Sequence, residues 1–218
     1  MIICTKNKVA IFLSPKTGTF SLFRGFKEHN LYRCEHAHSN YTSFQRMAET
    51  DENIGDPSQY RLFCFYRDPM DRALSMLRHI KRRKCHEMFH SIYGNQVKIS
   101  ALGNNTYFGL SPELRKLNDD TRMIDVFRKM KYHRDITYKK QVHWLDHPAN
   151  IEYLNFKNFN EEFLMLANLL GIEHVRAPVT NVSIKVEPYI DYLSPEEEQE
   201  IRDYYKEDYD FMREKGLL

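Results

Sequence analysis

Ile11-Phe12-Leu13-Ser14-Pro15-Lys16-Thr17-Gly18-Thr19, answered further along by Phe65-Tyr66-Arg67-Asp68-Pro69-Met70-Asp71-Arg72-Ala73-Leu74-Ser75, decides the reading of the fold. Val9 to Leu13 is an apolar run of strand length, and the Pro-Lys-Thr-Gly turn bends the chain into a helix carrying Phe20, Phe23 and Phe26. Backbone N–H groups at a helix start lack an internal partner and favour an anion, to which Lys16 adds a full positive charge. The second stretch repeats the pattern: Leu62 to Tyr66 reads as a buried strand, Asp68 as a helix cap and Pro69 as a first-turn residue. Two anion sites built this way imply a ligand with phosphates at both ends.

Outward from these turns, strands and helices alternate, which predicts an α/β fold of three layers, a central and mainly parallel sheet flanked by helices. Strands are expected at residues 8–14, 32–37, 60–66 and 150–156. A helix is expected from Pro69 to Lys84 with Met70, Ala73, Leu74, Leu77 and Ile80 on one face, and another from Asn160, carrying Phe163, Leu166, Ala167 and Leu170, to Gly171. The last helix opens on a capping box with proline at its first position, Ser194-Pro195-Glu196-Glu197, and its stripe is Ile201, Tyr204, Tyr205 and Phe211. Residues 1–218 read as a single domain, and the Gly- and Asn-rich stretch 85–120 as a functional loop or lid.

Composition narrows the class. Of 218 residues 42% are hydrophobic and 13% aromatic, too apolar for a disordered chain. The net charge of +2 provides no overall field for nucleic acid or an anionic membrane, so any anion site is local. Cys4, Cys34, Cys64 and Cys85 form no Cys-x-x-Cys pair and read as free thiols. With a strand starting near Met1 and no apolar run long enough to span a bilayer, the expectation is a soluble, cytoplasmic protein with no membrane partner.

The two stretches together resemble the sulfotransferases that use 3′-phosphoadenosine 5′-phosphosulfate (PAPS), whose P-loop NTPase-like fold carries a 5′-phosphosulfate loop and a 3′-phosphate site. Downstream, Tyr138-Lys139-Lys140-Gln141-Val142-His143-Trp144-Leu145 is similar to the helix before that family's late strand, and Asn150 to Phe156 to the strand itself. The resemblance implies that Pro15, Lys16, Thr17, Gly18, Thr19, Phe20 and Ser21 form the phosphosulfate loop. In it Lys16 would bridge the sulfuryl group and the leaving phosphate, while Arg67 and Ser75 hold the 3′-phosphate. The family usually has Thr or Ser where this chain has Phe20, so one hydroxyl contact is missing or passes to Ser21. Asn181-Val182-Ser183-Ile184-Lys185 is similar to the segment before the last helix of carbohydrate sulfotransferases, which makes Lys185 a further nucleotide contact. The implied reaction is transfer of a sulfuryl group from PAPS to a hydroxyl acceptor, a sugar among the candidates, with no metal.

Such an acceptor must lose a proton, and a base titrating near neutrality suits that step. Tyr32-Arg33-Cys34-Glu35-His36 resembles the region around the catalytic histidine of heparan and uronyl 2-O-sulfotransferases, which puts His36 at the base position. Strand alternation sets His36 and His38 on one face and Glu35 on the other. Two readings compete. His86-Glu87-x-x-His90 is the pattern of a zinc metallopeptidase, although the Lys81-Arg82-Arg83-Lys84 run before it is unlike a buried zinc helix. The basic run from His79 to Lys84 also fits a non-catalytic nucleotide- or nucleic-acid-binding module.

Overall fold

Short apolar runs become strands where a sheet is covered on both faces, because every residue of such a strand is then buried. The computed structural model describes residues 1–26, 29, 32–33, 40–78, 121–132, 139–144, 150–173, 175 and 193–218. Within them β1 (Ile2–Cys4), β2 (Val9–Phe12), β3 (Tyr32–Arg33), β4 (Arg61–Tyr66) and β5 (Ile151–Asn155) form one sheet in the order β3-β1-β2-β4-β5. The helices are α1 (Thr19–Gly25), α2 (Tyr41–Thr50), α3 (residues 69–78), α4 (Met123–Tyr132), α5 (Phe159–Leu169), α6 (Pro195–Tyr204) and α7 (Lys206–Glu214).

The α/β class is as expected, but the sheet is mixed rather than mainly parallel. β2 pairs in parallel with β4, and β4 with β5. By contrast β1 is antiparallel to both of its neighbours, β2 and β3. The cause is a hairpin: residues 5–8 join β1 to β2, with Lys8 at φ 52°, and so short a connection returns the chain alongside itself. A parallel pair would need a crossover of a dozen residues or more.

Side-chain alternation divides the core in two. Ile2, Val9, Ile11, Phe63, Phe65 and Leu154 pack with Leu22 and Phe26 of α1 and with Phe163, Leu166 and Ala167 of α5. On the opposite face Ile3, Ala10, Phe12, Leu62, Cys64 and Tyr66 pack with Phe44 of α2, Trp144 and Met212 of α7. Helix, sheet and helix are thus three layers, and each large apolar side chain buried there contributes roughly 1.5–3 kcal/mol. α5 ends where the sequence places its stop: Gly171 at φ 69° lets the Ile172 N–H reach the Ala167 carbonyl at 2.9 Å and the Gly171 N–H reach Asn168 at 3.0 Å.

The chain divides into two compact units. The first, Met1–Asp68, Lys140–Val182 and Lys206–Leu218, holds the sheet with α1, α2, α5 and α7. The second, Pro69–Lys139 and Ser183–Tyr205, holds α3, α4 and α6. In α3 Met70, Ala73, Met76 and Leu77 are buried and Leu74 is half-buried, close to the expected face. Phe127 of α4 meets the rings of Tyr204 and Tyr205 edge-on and tilted, and Arg128 pairs with Glu200.

Two expected helices differ. The capping box at Ser194 and Glu197 is present, but the terminal helix is two helices, α6 and α7, separated at Tyr205. Ile201 and Tyr205 are buried residues of the second unit, and Met212 belongs to the core of the first. Residues 139–144, within the stretch similar to a helix, form turns instead. There the Asp208 carboxylate accepts the backbone N–H groups of Gln141 and Val142, at 2.9 and 2.8 Å, that helical carbonyls would otherwise take.

Candidate functional site at the carboxyl ends of β2 and β4

Parallel pairing sends adjacent strands out of the sheet at the same edge. β2 and β4 are hydrogen-bonded neighbours, with Phe12 opposite Cys64, so the turns that follow them emerge side by side. The chain leaves β2 for β3, on one side, and its next strand after β4 is β5, on the other. In α/β sheets the crevice at such a reversal is where ligands bind. Topology therefore selects the same two turns that the motifs do.

The first turn is tightly built. Lys16 has φ 68° and Gly18 φ 82°. For a non-glycine residue this is a sparsely populated conformation, which persists only where the surroundings impose it. The imposing contacts are internal: the Thr17 hydroxyl donates to the Ser14 carbonyl at 2.8 Å and the Thr19 hydroxyl to the same oxygen at 3.3 Å. Ser14, Pro15, Thr17, Thr19 and Ser21 are all buried, and Lys16 is half-buried. Thr17 and Thr19 thus spend their hydroxyl protons bracing the turn. Curled turns of this kind form concavities in which backbone N–H groups converge on anions. Gly18 is the N-cap of α1 and no side chain caps the helix there. Phe20 is the second residue of α1.

Gly18 is also required by its neighbours. A Cβ at this position would stand 2.6 Å from Phe159 Cε2 and 2.9 Å from Phe156 Cε2, far inside van der Waals contact. Both rings follow β5, Phe156 in the single turn Phe156–Asn158 and Phe159 at the start of α5.

Arg67, at the end of β4, links the halves. Its Nη1 donates to the Lys16 carbonyl at 3.1 Å, and its guanidinium lies 4.8 Å over the Phe156 ring. Its backbone is held by one side chain: the Arg67 N–H donates to Gln141 Oε1 at 3.0 Å, and Gln141 Nε2 donates to the Arg67 carbonyl at 2.7 Å. Gln141 is itself set by the fully buried Asp208. Gln141, Phe156 and Asp208 are the residues that sequence reasoning passed over. For Asp208 a signal existed, since a carboxylate four residues before the buried Met212 sits on the apolar side of its helix.

The structure brings Pro15, Lys16, Thr17, Gly18, Thr19 and Arg67 together in the first unit. Ser75 is half-buried on α3 of the second unit. The base candidates His36, His38 and Glu35, the expected nucleotide contact Lys185, the expected loop or lid 85–120 and the motif His86, Glu87 and His90 lie outside the described residues.

Other titratable groups in the first unit serve structure. Burial pushes the Tyr153 phenol up to about 12, so it holds its proton at neutral pH. Burial also pushes the Cys64 thiol up, and Cys4 and Cys64 are both free and buried. Among the described residues no helix is long and apolar enough to cross a membrane.

Fold and turns define an α/β protein with an anion-binding candidate at the topological switch of its sheet. Comparison with protein-family models, with curated proteins and with solved structures found no match.

Proposed function

We propose that this chain is a PAPS-dependent sulfotransferase of the P-loop-like kind, moving the sulfuryl group to a hydroxyl acceptor. One observation carries the reading: the two turns whose sequences resemble the phosphosulfate loop and the 3′-phosphate site leave adjacent parallel strands, and Arg67 of the second bonds the Lys16 carbonyl of the first. A nucleotide phosphorylated at both ends is the ligand such a pair suits.

The chemistry asks for what this turn offers. As the acceptor oxygen bonds to sulfur, the bond from sulfur to the phosphate oxygen breaks, and that oxygen gains negative charge. A lysine and fixed N–H dipoles there stabilise the transition state more than the ground state. Because the Thr17 and Thr19 hydroxyls brace the turn, this reading gives the nucleotide's contacts there to backbone N–H groups and the Lys16 ammonium, with Ser21 as the hydroxyl that could stand in at Phe20's place. Arg67 can grip a phosphate with two parallel hydrogen bonds, which a lysine cannot. The acceptor's proton passes to the base that the resemblance puts on the strand after α1, among His36, His38 and Glu35. Ser75 and Lys185 are further nucleotide contacts in this reading, and the acceptor is a hydroxyl-bearing molecule, an anionic sugar among the candidates.

Titration calorimetry with 3′,5′-phosphoadenosine, the product nucleotide, tests the donor. Binding is expected, weakened strongly by Arg67→Ala and only partly restored by Arg67→Lys. Absence of binding at high micromolar nucleotide would refute the reading. A screen with radiolabelled PAPS against sugars, phenols and peptides then identifies the acceptor; nucleotide binding without transfer to any of them would favour a binding module instead.

A further inference from the structure

Arginine is a costly ligand for an anion unless it is held in place, because its long side chain loses much rotamer freedom on binding. In this protein Arg67 is held at three points. Its peptide is clamped at both N–H and carbonyl by Gln141, at 3.0 and 2.7 Å. Its guanidinium is fixed between the Lys16 carbonyl and the Phe156 ring. Gln141 can make both bonds only with its carboxamide in one orientation, oxygen toward the N–H and nitrogen toward the carbonyl.

Gln141 is in turn not free to drift. Its own N–H and that of Val142 donate to the two oxygens of Asp208, at 2.9 and 2.8 Å, and Asp208 is fully buried. Lys140 and His143, on the same turn, both bond the exposed Glu207 beside it. A buried carboxylate is costly unless hydrogen bonds satisfy it, and the two N–H groups of this turn supply them.

We infer that Gln141, anchored by Asp208, is a positioning residue that pre-orders Arg67 at the lip of the Lys16 turn. The chain of contacts runs from α7 through Gln141 to Arg67 and on to the Lys16 carbonyl, entirely within the first unit. It rests on the reading of Arg67 as a nucleotide ligand. Neither Gln141 nor Asp208 touches the nucleotide in this scheme; they act by removing the ordering cost from binding.

The experiment is a binding cycle with 3′,5′-phosphoadenosine, using wild type, Gln141→Ala, Arg67→Ala and the double variant of the full chain. Urea midpoint and Trp144 emission establish that each is folded. Gln141→Ala is expected to weaken binding by roughly tenfold, the upper end of the cost of ordering one long side chain on binding. In the Arg67→Ala background the same change is expected to add less than about twofold, because coupled residues are not additive. A merely structural Gln141 would cost the same in both backgrounds, and that outcome, or wild-type affinity in Gln141→Ala, overturns the inference while the sulfotransferase reading stands. A wild type that binds no nucleotide overturns both. If Gln141→Ala does not fold, Gln141→Asn takes its place under the same criteria, since its shorter amide cannot span both Arg67 groups.

Discussion

Gly18→Ala separates two reasons for a glycine in the Lys16 turn. The resemblance to the phosphosulfate loop asks for close approach of the backbone to a phosphate. The structure adds a reason that acts without any ligand. At φ 82° an alanine pays the left-handed penalty, roughly 1–2 kcal/mol. Its methyl group would also lie 2.6 Å from Phe159 Cε2 and 2.9 Å from Phe156 Cε2, and overpacking of this kind costs about 1–3 kcal/mol. The sum, about 2–5 kcal/mol, is a large part of a marginal total of about 5–15 kcal/mol. With a urea m-value of about 2–3 kcal/mol/M, the unfolding midpoint should fall by about 1–2 M. Trp144 is the only tryptophan and is buried against the sheet, so its emission reports the first unit. Gly216→Ala is the control, since Gly216 has φ 66° but no heavy atom within 4 Å of the place its Cβ would take, and it should show the backbone penalty alone. Equal costs for the two variants would refute the ring-contact reasoning, and a shift below about 0.5 kcal/mol at Gly18 would refute the strain as well.

Lys16→Ala should abolish sulfuryl transfer, a loss of about 100-fold or more by analogy with a deleted transition-state donor, while its urea midpoint stays near wild type because the positive φ is retained; radiolabelled PAPS turnover beside urea melts checks both. Asp208→Ala leaves the N–H groups of Gln141 and Val142 without their carboxylate and should cost about 2–4 kcal/mol, measured by the same melts; a loss under about 1 kcal/mol contradicts the anchoring role. The Lys140 ammonium bonded to Glu207 holds that carboxyl below its ordinary 4.5. A lowered folded value means the contribution is present above pH 4.5 and is lost as pH falls through the folded value. Because Glu207 is itself exposed, Glu207→Gln should flatten the acid limb of stability by only a few tenths of a kcal/mol, and a change in the alkaline limb instead would show the assignment to be wrong.

Legibility differed by element. β2 and β4 were readable because a run such as Leu62-Phe63-Cys64-Phe65-Tyr66 is apolar at every position and ends at turn residues, and β5 because Ile151-Glu152-Tyr153-Leu154-Asn155 alternates in part. β1 was not, since Ile2-Ile3-Cys4 is too short for any period to show. The capping box at Ser194 was legible because Ser, Pro and Glu act through local bonds. The break at Tyr205 was hidden, as Ile201, Tyr205 and Met212 share helical spacing and nothing local says that two cores divide them. In the site, Lys16, Gly18 and Arg67 were visible from their types and places at strand ends. Gln141 was quoted without a role, because an amide's partner is set by whatever folds against it.

Side-chain type and near-neighbour spacing were therefore enough for the α/β class, the three longer strands, the helix caps and the two cationic turns. Tertiary packing was needed to reverse β1, to set the turns of β2 and β4 side by side, to bring Phe156 and Phe159 where they exclude a Cβ at Gly18, and to carry Asp208 to Gln141 and through it to Arg67. Each of these joins residues far apart in the chain. Such contacts depend on which strands pair and which faces meet, and that pairing is settled by the packing of the whole chain rather than by any local stretch.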